Sequence, residues 1–174
     1  MKLNEIEKLL DKKEVKAFKK DLKKWLKPFK KKIAVEMADS YECIITKPKI
    51  YVDIVRDLKQ DITIDNLHKE LYKEKGFDFQ NELNFYTFAF LHELGHIMTV
   101  RPKDFEAEIE NFHDEMGDLL TKDHVENPKL LLETYMDTEF ERKADNWAYR
   151  FWELNKDYCK QLEKLLIRYS IESI

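Results

Sequence analysis

Glycine is nearly absent from this chain: there are three in 174 residues, Gly76, Gly95 and Gly117, with only four prolines. So few chain breakers, beside abundant Lys, Glu, Leu and Asp, leave little material for a turn-rich all-β fold and favour a mainly helical one. Cysteine is equally scarce. Cys43 and Cys159 lie far apart without CxxC spacing, which excludes a disulfide framework and fits a reducing compartment. No apolar run reaches the length of a membrane span. The opening "MKLNEIEKLLDKKE" lacks the apolar core of a secretory leader. A cytoplasmic protein with no membrane partner is therefore expected, and 174 residues suit a single domain with a real core.

Positive charge is also missing, but only from part of the chain. Residues 1–32 carry thirteen lysines against five acids, a balance of +8, while the whole chain is at −4, leaving −12 for the remainder. Val15, Phe18, Leu22, Trp25, Leu26, Phe29 and Ile33 recur at steps of three and four, so residues 1–36 read as a basic helical part with one apolar face. Asp11 and Glu14 stand at capping-box spacing before it. A basic face can touch nucleic acid or an acidic partner. It is more often a solvated face, so direct nucleic-acid binding is not expected.

Two short β-branched runs follow, 43–46 and 50–55, around Lys47-Pro48-Lys49, and predict a hairpin or two neighbouring strands. A short helix closing near Gly76 comes next, then a helix from about Asn81 to Met98 with Pro102 just beyond it. Residues 101–145 hold fourteen acids against six bases. Helical pieces are expected there, with turns at "MGD" and "ENPK", Asn127 capping a helix that begins at Pro128, and Thr138 capping the one after. The last segment, "DYCKQLEKLLIRYSI", is plainly amphipathic.

Inside the most apolar helix, "FYTFAFLHELGHIMTV", stand His92, Glu93 and His96. Buried imidazole and carboxylate groups cost several kcal/mol unless compensated. Two histidines at i, i+4 share a face and can bind one zinc ion, while Glu93 can act as general base toward a water at the ion. Gly95, between the ligands, stands where a side chain would crowd the site. A catalytic zinc takes a third protein ligand. The metzincin spacing fails, because position 102 is Pro102. Glu141 on a following helix is the leading candidate, with Glu139, Glu133 and His113 as alternatives. Asp145, one turn past Glu141, could then accept the outer N–H of a liganding histidine. Glu141 has a competing role: Thr138 and Glu141 are at capping-box spacing, and a carboxylate committed to a metal has little left for the Thr138 N–H.

Together, "FYTFAFLHELGH" and "ERKADNWAYRF" resemble the ImmA/IrrE family of metallopeptidases, Glu141, Ala144, Asp145, Trp147 and Ala148 matching its second signature. The resemblance covers about residues 50–150 with gaps. It implies an α+β, mainly helical, minimal gluzincin-like fold: a helix, a small sheet, the HExxH helix and a ligand helix. It also implies cleavage of a helix-turn-helix repressor that controls phage, mobile-element or stress genes. Two features depart from that pattern. The 45 residues from His96 to Glu141 make 101–137 read as an acidic insertion, and Lys143 stands where the family often has a second glutamate.

For the oxyanion, Tyr149 lies four beyond Asp145 on one face, with His113, His124 and Tyr135 as alternatives. Cys43 raises a peptide-deformylase site, whose "GCLS" context is replaced here by "ECII". Trp147, Phe151 and Trp152 read as core. The expected ion is Zn2+, with Mn2+ or Fe2+ accepted by the same ligands. The acidic stretch would suit a basic protein substrate such as a DNA-binding repressor. The alternative is a catalytically silent module on the same scaffold, acting through its basic helix or acidic segment.

Overall fold

A computed structural model describes residues 12–38, 41–53, 55–56, 62–77, 85–119, 127–169 and 171–172. The fold is α+β and mainly helical. Helix α1 (Lys12–Leu26) leads through a short 3-10 turn (Lys27–Phe29) into strand β1 (Ala34–Ala38), followed by β2 (Glu42–Ile44), β3 (Lys49–Asp53) and β4 (Val55–Arg56). Then come α2 (Ile62–Glu74), α3 (Phe85–Thr99), α4 (Phe105–Leu119), α5 (Pro128–Asp137), α6 (Glu139–Leu154), α7 (Lys156–Arg168) and β5 (Ile171–Glu172). None of the described helices is long and apolar enough to cross a membrane.

The basic helix is shorter than its apolar spacing predicts. Pro28 sits in the 3-10 turn, and Lys30 takes a left-handed conformation with φ 54°. Pro28 has no N–H to continue an α-helix, so the chain turns out and enters β1. That strand escapes a pattern search because "AVEMA" is rich in helix formers and Ile33 prolongs the helical period. The Asp11 cap lies outside the described residues.

β3 is the centre of a three-stranded sheet. β1 pairs with it in parallel, Val35 opposite Ile50 and Met37 opposite Val52, and β2 in antiparallel, Cys43 opposite Ile50. The expected hairpin is therefore present, with an unexpected strand on its far side. Val35, Met37, Ile50 and Val52 are all buried, forming the face that α1 and α3 cover. α1 is fastened to α7 by Trp25 and Tyr158, whose rings stack at 4.7 Å, the Trp25 indole N–H donating to the Tyr158 carbonyl at 3.1 Å.

The expected turn at "MGD" does not form. α4 runs through Gly117 to Leu119, the cost of about 1 kcal/mol for one helical glycine being small against the packing of the whole helix. Asn127 caps α5 as expected, its side chain accepting from Lys129 N and Leu130 N, with Pro128 in the first turn.

α3 is apolar on nearly every side and is the buried axis of the fold: Phe88, Phe90, Leu91, Leu94 and Ile97 are at most 1% exposed. It packs most extensively against α6, whose stripe Glu141, Ala144, Asp145, Ala148 and Trp152 faces inward at steps of three and four. The two backbones nearly touch. A Cβ on Gly95 would lie 2.6 Å from the Ala144 carbonyl oxygen and 3.0 Å from its Cα. Since that obstacle is backbone, Gly95→Ala is expected to lower stability by about 1–3 kcal/mol, measured as the urea midpoint. Wild-type stability in that variant would contradict the close approach.

Candidate metal centre

Helical spacing puts His92 and His96 on one side of α3, and the inward stripe of α6 carries Glu141 and Asp145 up to them. His92 Nε2 and His96 Nε2 are 3.1 Å apart, and Glu141 Oε2 lies 3.0 Å from the first and 3.5 Å from the second. His96, Glu141 and Asp145 are each under 5% exposed. A tetrahedral zinc ion with bonds of about 2.0–2.1 Å sets neighbouring ligand atoms about 3.3–3.4 Å apart. The triangle already has that size.

The donor chemistry fits as well. Asp145 Oδ1 is 2.7 Å from His92 Nδ1, so Nδ1 carries the proton and the Nε2 lone pair faces His96 and Glu141. In that neutral tautomer Nε2 and Oε2 are acceptor against acceptor, and Glu141 Oε2 is a buried oxygen without a donor. Only a proton or a cation at the centre of the triangle satisfies all three atoms.

Without metal, that proton is tightly held. Burial alone would push His92 toward its neutral form, but hydrogen bonds to Asp145 and Glu141 hold its pKa well above the usual histidine range. Burial would likewise raise Glu141; its hydrogen bonds to His92 and His96 outweigh this and hold it below the usual carboxylate range.

Glu141's competing role is resolved by the cap itself. Thr138 Oγ1 accepts from Glu141 N at 3.4 Å, but the Thr138 N–H goes to the Tyr135 carbonyl at 3.2 Å. The reciprocal half of the box is thus taken by backbone, and the Glu141 carboxylate is left for the histidines. The other candidates lie elsewhere. Glu139 is exposed and paired with Lys143 at 3.0 Å, Glu133 lies 3.9 Å from Lys129, and His113 is exposed on α4. His124 is outside the described residues. Among the described residues, His92, His96 and Glu141 form a set of convergent donors, all within 4.8 Å of one another, to which Cys43 does not belong.

Three neighbours of the centre were missed or ranked low from sequence. Tyr72, on α2, donates its hydroxyl to Asp145 Oδ1 at 2.9 Å and so steadies the group that orients His92. Tyr135, near the end of α5, lies beside Glu141, and burial, ahead of the neighbouring Glu141 and Glu93 charges, raises its pKa. Cys43, on the edge strand β2, lies beside Glu93; burial raises its pKa first, with Glu93 and Glu141 adding to it. Tyr149 instead packs its ring on Phe77 at 4.8 Å and Trp152 at 5.5 Å. Trp147, Phe151 and Trp152 belong to the core and its margin, as expected.

The acidic stretch forms a wall of the site. Phe140 stacks on His96 with centroids 4.3 Å apart, and Phe112 of α4 lies against both Phe140 and Tyr135 at 5.9 Å. Lys143 Nζ reaches both carboxylate oxygens of Glu108 at 3.0 Å, and Glu115 accepts from the Glu139 N–H at 2.8 Å. No protein-family model matches the chain, and no characterised protein or solved structure matches it.

The proton held at the triangle has a signature in pH. His92's raised pKa stabilises the metal-free fold fully below about pH 6.5, and this is lost as pH rises through the folded value. Glu141's lowered pKa contributes above about pH 4.3 and is lost only as pH falls through its folded value. Metal-free protein is therefore expected to be most stable between about pH 4.3 and 6.5 and to weaken above that, whereas added zinc stabilises it more as pH rises, because binding displaces a proton. Urea midpoints from pH 5 to 9, with and without zinc, read both trends. A flat metal-free profile would contradict the clamped proton. Asp145→Asn is expected to weaken zinc binding about 10–100-fold in a competition titration; unchanged affinity would remove its orienting role.

Proposed function

We propose that this chain is a cytoplasmic zinc-dependent endopeptidase of the ImmA/IrrE kind, in which His92, His96 and Glu141 hold the ion and Glu93 is the general base. The observation that supports it most is the Glu141 Oε2 atom, buried and without a donor beside two imidazole nitrogens. Mn2+ or Fe2+ would be accepted by the same three atoms.

Bound zinc would supply Lewis acidity, lowering the pKa of an attacking water toward about 7 and polarising a peptide carbonyl. Glu93, half-exposed at the mouth of the site between Cys43 and Tyr135, takes the water's proton and passes it to the leaving amine. Asp145 keeps His92 in the tautomer that offers Nε2, and Tyr72 keeps Asp145 in place. Tyr135, beside Glu141 and Glu93, would donate to the carbonyl oxygen as negative charge develops on it, with Tyr149 as the alternative. The acidic helix α4, with Glu106, Glu110 and Asp114 outward, would favour a basic protein substrate, and a DNA-binding repressor of a phage or mobile element is the class we propose.

A proteome-derived peptide library, read by mass spectrometry, tests the activity without knowing the substrate. Cleavages are expected with zinc-loaded protein and are expected to fall at least about 100-fold with Glu93→Gln, which should keep its zinc. Tyr135→Phe is expected to lower kcat about 100-fold with little change in KM. Equal cleavage by the natural chain and Glu93→Gln, or none by either, would leave a silent binding module as the better reading.

A further inference from the structure

The parallel pairing of β1 with β3 creates a feature remote in sequence and close in space. Ala34 stands opposite Lys49, and the Ala34 N–H donates to the Pro48 carbonyl at 2.8 Å. This seats the β2–β3 turn beside the end of the basic helix. A cleft of about 740 Å³ lies between them. Lys23, Lys24, Lys27, Lys31 and Lys32 form one wall, and Lys47 and Lys49 the other; no acidic side chain lines it.

Little of this charge is neutralised internally. Lys49 pairs with Glu36 at 2.9 Å, and Lys31 donates to the Ile97 carbonyl near the end of α3. For Lys23, Lys24, Lys27, Lys32 and Lys47, no carboxylate among the described residues stands at ion-pair distance. Holding so many like charges in one concavity disfavours the free protein and favours an anion with regularly repeated charge. In a chain of net charge −4, that positive field is a local feature.

We infer that this lysine cleft binds the phosphate backbone of nucleic acid, independently of sequence. Double-stranded DNA carries about one negative charge per 1.7 Å of axis, so a single duplex can engage several of these lysines at once. The lining holds lysines without arginine or aromatic side chains. Lysine is a point charge with rotatable donors; it contacts phosphates but does not supply the bidentate or stacking contacts that read bases. Protein–protein interfaces, by contrast, are depleted in lysine, so the acidic helix of a second copy is the weaker occupant. The inference stands apart from the metal centre, since no residue of the cleft belongs to it. It also goes against the solvated reading of the basic helix, because that reading could not include Lys47 and Lys49.

The test is fluorescence anisotropy of a labelled 20-base-pair duplex with the full chain at 50 and 200 mM salt. Binding is expected at 50 mM and is expected to weaken about 100-fold at 200 mM, the loss for roughly four phosphate contacts. The combined variant Lys27→Glu, Lys32→Glu, Lys47→Glu is expected to bind at least about tenfold more weakly, with its salt slope reduced by about 3. A charge-matched control on α1 but outside the cleft, Lys12→Glu, Lys16→Glu, Lys20→Glu, should keep most of the affinity. If circular dichroism shows that the cleft variant is unfolded, Lys47→Glu alone is used, with a slope change of about 1. No duplex binding by the natural chain at 50 mM would overturn the inference, as would equal losses in the two triple variants. Salt-sensitive self-association in sedimentation, without duplex binding, would overturn it in favour of a second copy.

Discussion

The site depends on how closely two helices approach. α3 and α6 meet where Gly95 faces the Ala144 backbone, at a distance that leaves no room for a side-chain carbon. That contact lies between the two histidines in sequence, and Glu141 and Asp145 flank its other side. With the axes held this near, a carboxylate one helix away falls within 3.0 Å of His92 Nε2, and Asp145 within 2.7 Å of His92 Nδ1. A wider spacing would loosen both contacts at once. The geometry of the three donors is therefore set by backbone packing of the most apolar of the described helices, which is the rigid support a metal centre needs.

Around that axis the remaining elements act as buttresses. α2 supplies Tyr72 to Asp145, α5 brings Tyr135 to Glu141, and β2 places Cys43 against Glu93. α4 joins through Lys143, whose bridge to Glu108 ties the acidic helix to α6. Lys143 is thus the point at which α6 holds the acidic helix. The same helix lays Phe112 over the Phe140 ring that stacks on His96, so α4 covers the centre from one side.

What was legible in the sequence is what local periodicity carries. His92 and His96 are neighbours by helical geometry alone, and the stripe of α6 announces Glu141 and Asp145 as one inward face. Asn127 and Thr138 were readable as caps because their chemistry is confined to three residues. Tyr72 was not readable, because it is 73 residues from Asp145 and sits on a helix whose own pattern says nothing about its partner. β1 was hidden by helix-forming residues in a strand stabilised by tertiary pairing, and the helix through Gly117 by the reverse effect, tertiary packing overriding a weak local preference. The lysine cleft needed a parallel register that no local signal encodes.

The most direct measurement is bound metal per chain by elemental analysis, on the natural protein and on Glu141→Ala purified identically without chelators. About one zinc per natural chain and a large loss in the variant is the expected result for a three-ligand site. Equal zinc in both would remove Glu141 from the ligand set, and no metal in the natural chain would contradict the metal centre itself.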